Sequence, residues 1–127
     1  MKDSSIELTI RLIDPDLDDD ERDLEAQRLL TQIQEDPEVI SAKPAADHNG
    51  PPENSKAGEA LLVGALVIVY GSRIKDSLRY LADRLTGKSI EMELEVAGKK
   101  LKVKAANQAE LESAIQAARE LLTQEVP

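Results

Sequence analysis

At 127 residues the chain is the size of one domain, and without a cysteine it cannot form a disulfide, a zinc–thiolate site or a thiol nucleophile. Tyr70 and Tyr80 are its only aromatic residues besides His48, too few rings for a platform on which bases or sugars stack. The net charge of −9 is concentrated at one end: residues 1–36 carry 12 acids and 4 bases, a net of −8, and the remainder carries 13 acids and 12 bases, a net of −1. Such a chain is repelled by nucleic acids and anionic membranes, and its acidic third favours a basic protein partner.

Residues 6–13 alternate strictly, with Ile6, Leu8, Ile10 and Leu12 on one face and Glu7, Thr9 and Arg11 on the other. Period two predicts a half-buried strand. Asp14-Pro15 breaks it. Asp18 and Glu21 have the spacing of a helix N-cap with its capping box. The helix runs to about Glu35, with Ala26, Leu29, Leu30 and Ile33 as its apolar face, and Pro37 ends it. Leu17 and Leu24 fall off that face. Val39 to Ala42 reads as a short second strand. Residues 44–56, with three prolines, Asn49-Gly50 and the only histidine, His48, read as a flexible linker.

The longest uncharged run, Ala60 to Ser72, spans 13 residues. A membrane helix needs about 20 apolar residues, so this run is buried rather than membrane-crossing. From Val67 the spacing Val67, Gly71, Ile74, Leu78, Leu81, Leu85 is a helical stripe, closed by Gly87 at the position of a C-cap glycine. Leu61 to Tyr70 is apolar all round and rich in Val and Ile, which also fits a buried strand. The stripe extends back through Gly64 and Ala60, which favours one helix over 58–86 with a bend at Gly71-Ser72.

Ile90, Met92, Leu94 and Val96 then alternate with Glu91, Glu93 and Glu95. After Ala97-Gly98, Leu101, Val103 and Ala105 alternate with Lys100, Lys102 and Lys104. This is a β-hairpin. A turn on Gly98-Lys99 sets Glu95 opposite Lys102 and Glu93 opposite Lys104. A turn on Ala97-Gly98 sets Glu95 opposite Lys100. The first is preferred, because it gives a type II′ turn its leading glycine. Asn107 with Glu110 caps a last helix, whose core face is Leu111, Ala114, Ile115, Ala118, Leu121 and Leu122.

The expected order is β-α-β-α-β-β-α in one domain over 1–127: an α+β two-layer sandwich. Helices cover one face of a mixed or antiparallel sheet, and the other face meets solvent.

Candidate chemistry is sparse. Asp14, Asp16, Asp18, Asp20 and Glu25 fall in an EF-hand-like register. The glycine position holds Asp19, however, and a strand precedes the run, so an acidic loop at a helix N-terminus accounts for them. Ser72 and Lys75 match the Ser-x-x-Lys spelling of serine acyltransferases without either partner motif. His48 has nothing around it to act as an orienting group. The glutamate and lysine strips match each other as cross-strand pairs, which leaves no surplus charge for nucleic acid. Gly64 and Gly71, seven apart on the supposed helix, allow close approach of backbone, either to the domain's own sheet or to another chain. With Tyr70 and Tyr80 they form the candidate interface. No catalytic residue, metal site or cofactor is expected.

The segment ending Gly71-Ser72, the helix closing Ser77-Leu78-Arg79-Tyr80-Leu81-Ala82-Asp83-Arg84, the hairpin and the terminal helix together resemble the effector-associated constant component family of bacteria. Tyr80 stands where that family usually has tryptophan. The Asp36-Pro37-Glu38 exit of the first helix is also similar. The lack of cysteine and of a signal-peptide pattern at Met1-Lys2-Asp3-Ser4 suits a cytoplasmic protein, and the resemblance implies an accessory component without catalytic residues, encoded beside effectors such as caspase-like or trypsin-like peptidases. The expected function is therefore a non-enzymatic adaptor or regulatory component that binds a protein partner. The alternative is a small-molecule-binding regulatory domain with a cleft between the solvated sheet face and the 44–55 loop.

Overall fold

A computed structural model describes residues 6–46 and 61–125. Eight elements follow in order: β1 (Ile6–Leu12), α1 (Asp19–Ile33), β2 (Val39–Ala46), β3 (Leu61–Tyr70), α2 (Ile74–Leu85), β4 (Ile90–Val96), β5 (Lys99–Ala105) and α3 (Gln108–Glu125). The five strands form one antiparallel sheet in the order β2-β3-β1-β4-β5. The first six elements make two interleaved split βαβ units, the βαββαβ order of ferredoxin-like domains, and β5 and α3 extend the sheet and the helix layer. The expected α+β two-layer sandwich is what forms, with one strand more than the sequence order allowed. No helix among the described residues is long and apolar enough to cross a membrane.

Each element follows from its residues. β1 buries Ile6, Leu8, Ile10 and Leu12 and turns Glu7 and Arg11 outward, as its alternation requires. α1 opens on a complete capping box: the Glu21 amide donates to Asp18 Oδ1 at 2.8 Å, and the Asp18 amide donates to Glu21 Oε1 at 2.9 Å. Its Ala26, Leu29 and Ile33 are buried. Three acids in its first turn favour the helix dipole. In α3, Asn107 Oδ1 accepts from the Glu110 amide at 2.9 Å, but the Glu110 carboxylate reaches back to the Ala106 amide at 2.7 Å, one residue earlier than a capping box would place it.

Residues 61–70 are a strand, not the first half of a helix. β3 lies between β2 and β1 and buries Leu66, Ile68 and Tyr70 on the helix side. A run that is apolar all round satisfies any period, so the stripe back to Gly64 was a coincidence of composition. Only its second half is helical, where Ile74, Leu78, Leu81 and Leu85 are buried in α2 as expected. Gly87 (φ +84°) follows the helix in the left-handed conformation of a C-terminal glycine. β2 runs through Ala46, so 44–46 belong to the sheet and not to a linker; the rest of the expected linker, with His48, lies outside the described residues.

The hairpin takes the register that was not preferred. Val96 pairs with Lys99, Glu95 with Lys100, Glu93 with Lys102 and Glu91 with Lys104. The turn is Ala97-Gly98, with φ of +53° and +82°, so both central residues are left-handed, as a type I′ turn needs. This register faces all three glutamates with lysines and pairs Ile90, Met92 and Leu94 with Ala105, Val103 and Leu101. The other register would match two charge pairs only. The gain in cross-strand pairing offsets the strain of a left-handed alanine.

The core is one cluster of Leu, Ile, Val, Ala and Met between the helix layer and the sheet, with Tyr70 its only ring. Lys88 joins α1 to the loop before β4 through Glu25 Oε1 at 3.1 Å. That hydrogen bond, aided by the charges of Lys88 and Arg28, holds the Glu25 carboxyl below its ordinary range against the opposing effect of partial burial. Lys99 Nζ reaches Glu125 Oε2 at 2.9 Å and ties the hairpin to the end of α3.

Candidate protein-binding surface

The helices pack on one face of the sheet, and among the described residues no element covers the other. Register arranges that open face into stripes, one chemistry to a strand. β5 presents Lys100, Lys102 and Lys104. β4 presents Glu95, Glu93 and Glu91 directly opposite them. β1 presents Glu7, Thr9 and Arg11 against those glutamates. β3 presents Val69 and Val67 opposite Glu7 and Thr9.

The β3 stripe departs from the alternation seen elsewhere. β1, β4 and β5 put charged side chains on this face, whereas Val67 and Val69 are apolar and half-buried. Ile40 adds to them. Val39 pairs with Tyr70 and Ser41 with Val69, so Ile40 is the extra residue of a bulge and stands 69% exposed beside Val69. Among the described residues the one other exposed large apolar side chain, Leu24 at 50%, stands on the outer surface of α1. Single exposed residues of that kind are ordinary, and a strip of three on one face is not.

A second local irregularity lies next to this strip. Glu7 is directly opposite Glu95. Like charges at opposed positions are destabilising. Arg11 opposite Glu91 is favourable, and the cross-strand ion pair that closes is diagonal, Lys100 Nζ to Glu93 Oε2 at 3.6 Å. The middle of the open face thus carries a carboxylate excess.

The residues singled out as an interface sit elsewhere. Gly64 and Gly71 share no helix face. Gly64 (φ +67°) is inside β3, where its amide donates to Asp23 Oδ1 at 2.7 Å and an added Cβ would lie 2.9 Å from Arg22 Cβ. Gly71 leaves β3 against Glu38, whose backbone oxygen accepts its amide at 3.0 Å. Both glycines therefore serve close approach within the chain. Tyr70 is 2% exposed in the core, and burial, then the charges of Asp36 and Tyr80, pushes its phenol well above the ordinary range. Tyr80 is half-buried: its hydroxyl donates to the Gln32 oxygen at 2.8 Å and Arg84 lies 5.1 Å over its ring.

Tyr80 borders a cleft with Glu35, Asp36, Glu38, Arg73 and Asp76. Three of its four carboxylates are engaged locally. Asp36 Oδ1 accepts the Glu38 amide at 2.9 Å, Glu38 Oε2 accepts the Arg73 amide at 2.9 Å, and Asp76 pairs with Arg73 at 3.5 Å. They clamp the α1–β2 turn to the start of α2. Of the acids in the EF-hand-like run, Asp14 accepts the Asp16 amide at 3.0 Å, Asp18 caps α1, and Glu25 bonds Lys88 and Arg28; Asp19, at the glycine position, pairs with Arg22 at 3.1 Å. Ser72 precedes α2 and Lys75 lies in its first turn, with no hydrogen bond between them. His48 and most of the loop invoked for a small-molecule cleft lie outside the described residues.

The apolar strip was missed by reading 61–70 as a helix. Its signal was in the sequence: a strand apolar on both faces, beside strands charged on one, marks an outer face that is not uniformly polar. No protein-family model, curated protein or solved structure matches the chain.

Proposed function

We propose that the protein is a non-enzymatic adaptor or regulatory component that binds a protein partner through the open face of its sheet. The observation that carries this reading is the apolar strip of Val67, Val69 and Ile40 on a face that is otherwise polar and mostly charged. A solvated sheet face gains nothing from valines beside an exposed isoleucine, whereas a protein surface laid across them removes apolar area from water at roughly 25 cal/mol per Å². The Glu7–Glu95 contact supports it further, since a basic side chain of a partner would relieve that repulsion. The resemblance to effector-associated components makes a peptidase-type effector of a bacterial conflict or signalling system the first partner to test.

The test is affinity capture from the native cells with the wild type and with Ile40→Glu/Val67→Glu, each first shown to be folded by circular dichroism. The proposal expects one protein recovered in near-stoichiometric amount by the wild type and lost with the variant. Equal recovery by both would move the interface off the sheet, and recovery of nothing by either would remove the adaptor reading.

A further inference from the structure

The two edges of the sheet are built differently. β2, at one edge, carries two register irregularities, between Val39 and Ser41 and between Pro44 and Ala46, and Pro44 has no amide to donate. Such an edge resists pairing. β5, at the other edge, keeps unbroken register with β4 from Lys99 to Ala105 and contains neither proline nor bulge.

The two-residue turn determines which backbone groups of β5 are free. Val96 and Lys99 flank it and exchange both hydrogen bonds, so Leu101, Val103 and Ala105 also point their amides and carbonyls at β4. Lys100, Lys102 and Lys104 point theirs outward, and among the described residues nothing bonds to them. Their ammonium groups stand on the open face, with carboxylates on the β4 side only. In a chain of net charge −9 this is a row of three lysines in register with three unpaired donors and three unpaired acceptors.

We infer that the β5 edge is a docking site for an extended segment of a partner protein with acidic residues at alternate positions, added to the sheet as a sixth strand. Main-chain bonds to Lys100, Lys102 and Lys104 hold it, and its carboxylates continue the alternation of acidic β4 and basic β5. A second copy of this chain does not fit: antiparallel pairing of β5 with itself puts lysine against lysine, which is destabilising. Nucleic acid fits poorly, since the overall charge repels it and phosphates have no use for the row of carbonyls. This inference deepens the adaptor reading and rests on it.

The probe is an acetylated, amidated peptide with the sequence of residues 90–96, whose glutamates already match the β5 lysines in register. Hydrogen exchange and amide chemical shifts of the full chain provide the readout. In the free protein the amides of Lys100, Lys102 and Lys104 should exchange fast and those of Leu101 and Val103 slowly. Added peptide should slow the lysine amides. Lys102→Pro removes one outward donor and no bond to β4, and should weaken binding by about tenfold. Lys102→Gln, which keeps the donor, should weaken it less. Equal weakening by Lys102→Pro and Lys102→Gln, which both remove the charge while only the first removes the donor, would make the strip a charge patch and overturn strand addition. So would no response of these amides to the peptide, or their response instead to a ten-residue oligothymidylate. If the peptide fails while capture of a partner still depends on Ile40 and Val67, the edge inference falls and the adaptor reading stands.

Discussion

Two residues test the local account most sharply. Ala97 holds φ of +53° so that the hairpin can keep its three charge pairs. Asparagine tolerates that conformation better and leads type I′ turns, so Ala97→Asn should raise stability by about 0.5–1 kcal/mol, read as a higher melting temperature. A lower one would mean the turn is not type I′. Tyr70 tests burial. Its phenol is held protonated in the fold, above its value in the unfolded chain. Stability is therefore complete below the ordinary phenol pKa and falls as pH rises beyond it, because the unfolded state ionises first. Tyr70→Phe should flatten that alkaline loss in denaturant titrations at rising pH. An unchanged profile would place the phenol in water.

Among the elements, α2 is the part of the expected 58–86 helix that the structure keeps. Leu78 and Leu81 are 2% and 1% exposed. Truncating either to alanine should cost about 2–5 kcal/mol. Leu78→Asp with Leu81→Asp should unfold the chain by circular dichroism, and a folded double variant would contradict their place in the core. β1, α1, α2, β4, β5 and α3 were all legible, because each has one apolar and one polar face and the period is readable from the contrast between them. β3 was not legible for the same reason in reverse: Leu61 to Tyr70 has no polar face, and only its partners β2 and β1 decide between helix and strand. The hairpin register was half legible. The facing glutamate and lysine strips narrowed it to two turns, but the choice turned on three charge pairs outweighing one strained alanine, a comparison of small energies that a rule about leading glycines overrode. The candidate site suffered from the β3 error. Gly64 and Gly71 were grouped by a helical period that does not exist, while Val67, Val69 and Ile40 are neighbours only through β pairing and a bulge.

At the scale of the whole molecule, the helix layer and the sheet's inner face close one core, and the outer face carries ordered stripes of apolar, acidic and basic side chains. The central claim is that this face, and not the helix layer, meets a partner. Residue-resolved labelling of carboxylates and amines on the free protein and on the complex recovered from cells tests it most directly. Glu91, Glu93, Glu95, Lys102 and Lys104 report on the open face, and the exposed Glu112 and Glu120 on α3 report on the helix layer. Protection of the first group with unchanged labelling of the second is the predicted result. Protection of the α3 carboxylates while the sheet residues label as in the free protein would contradict it.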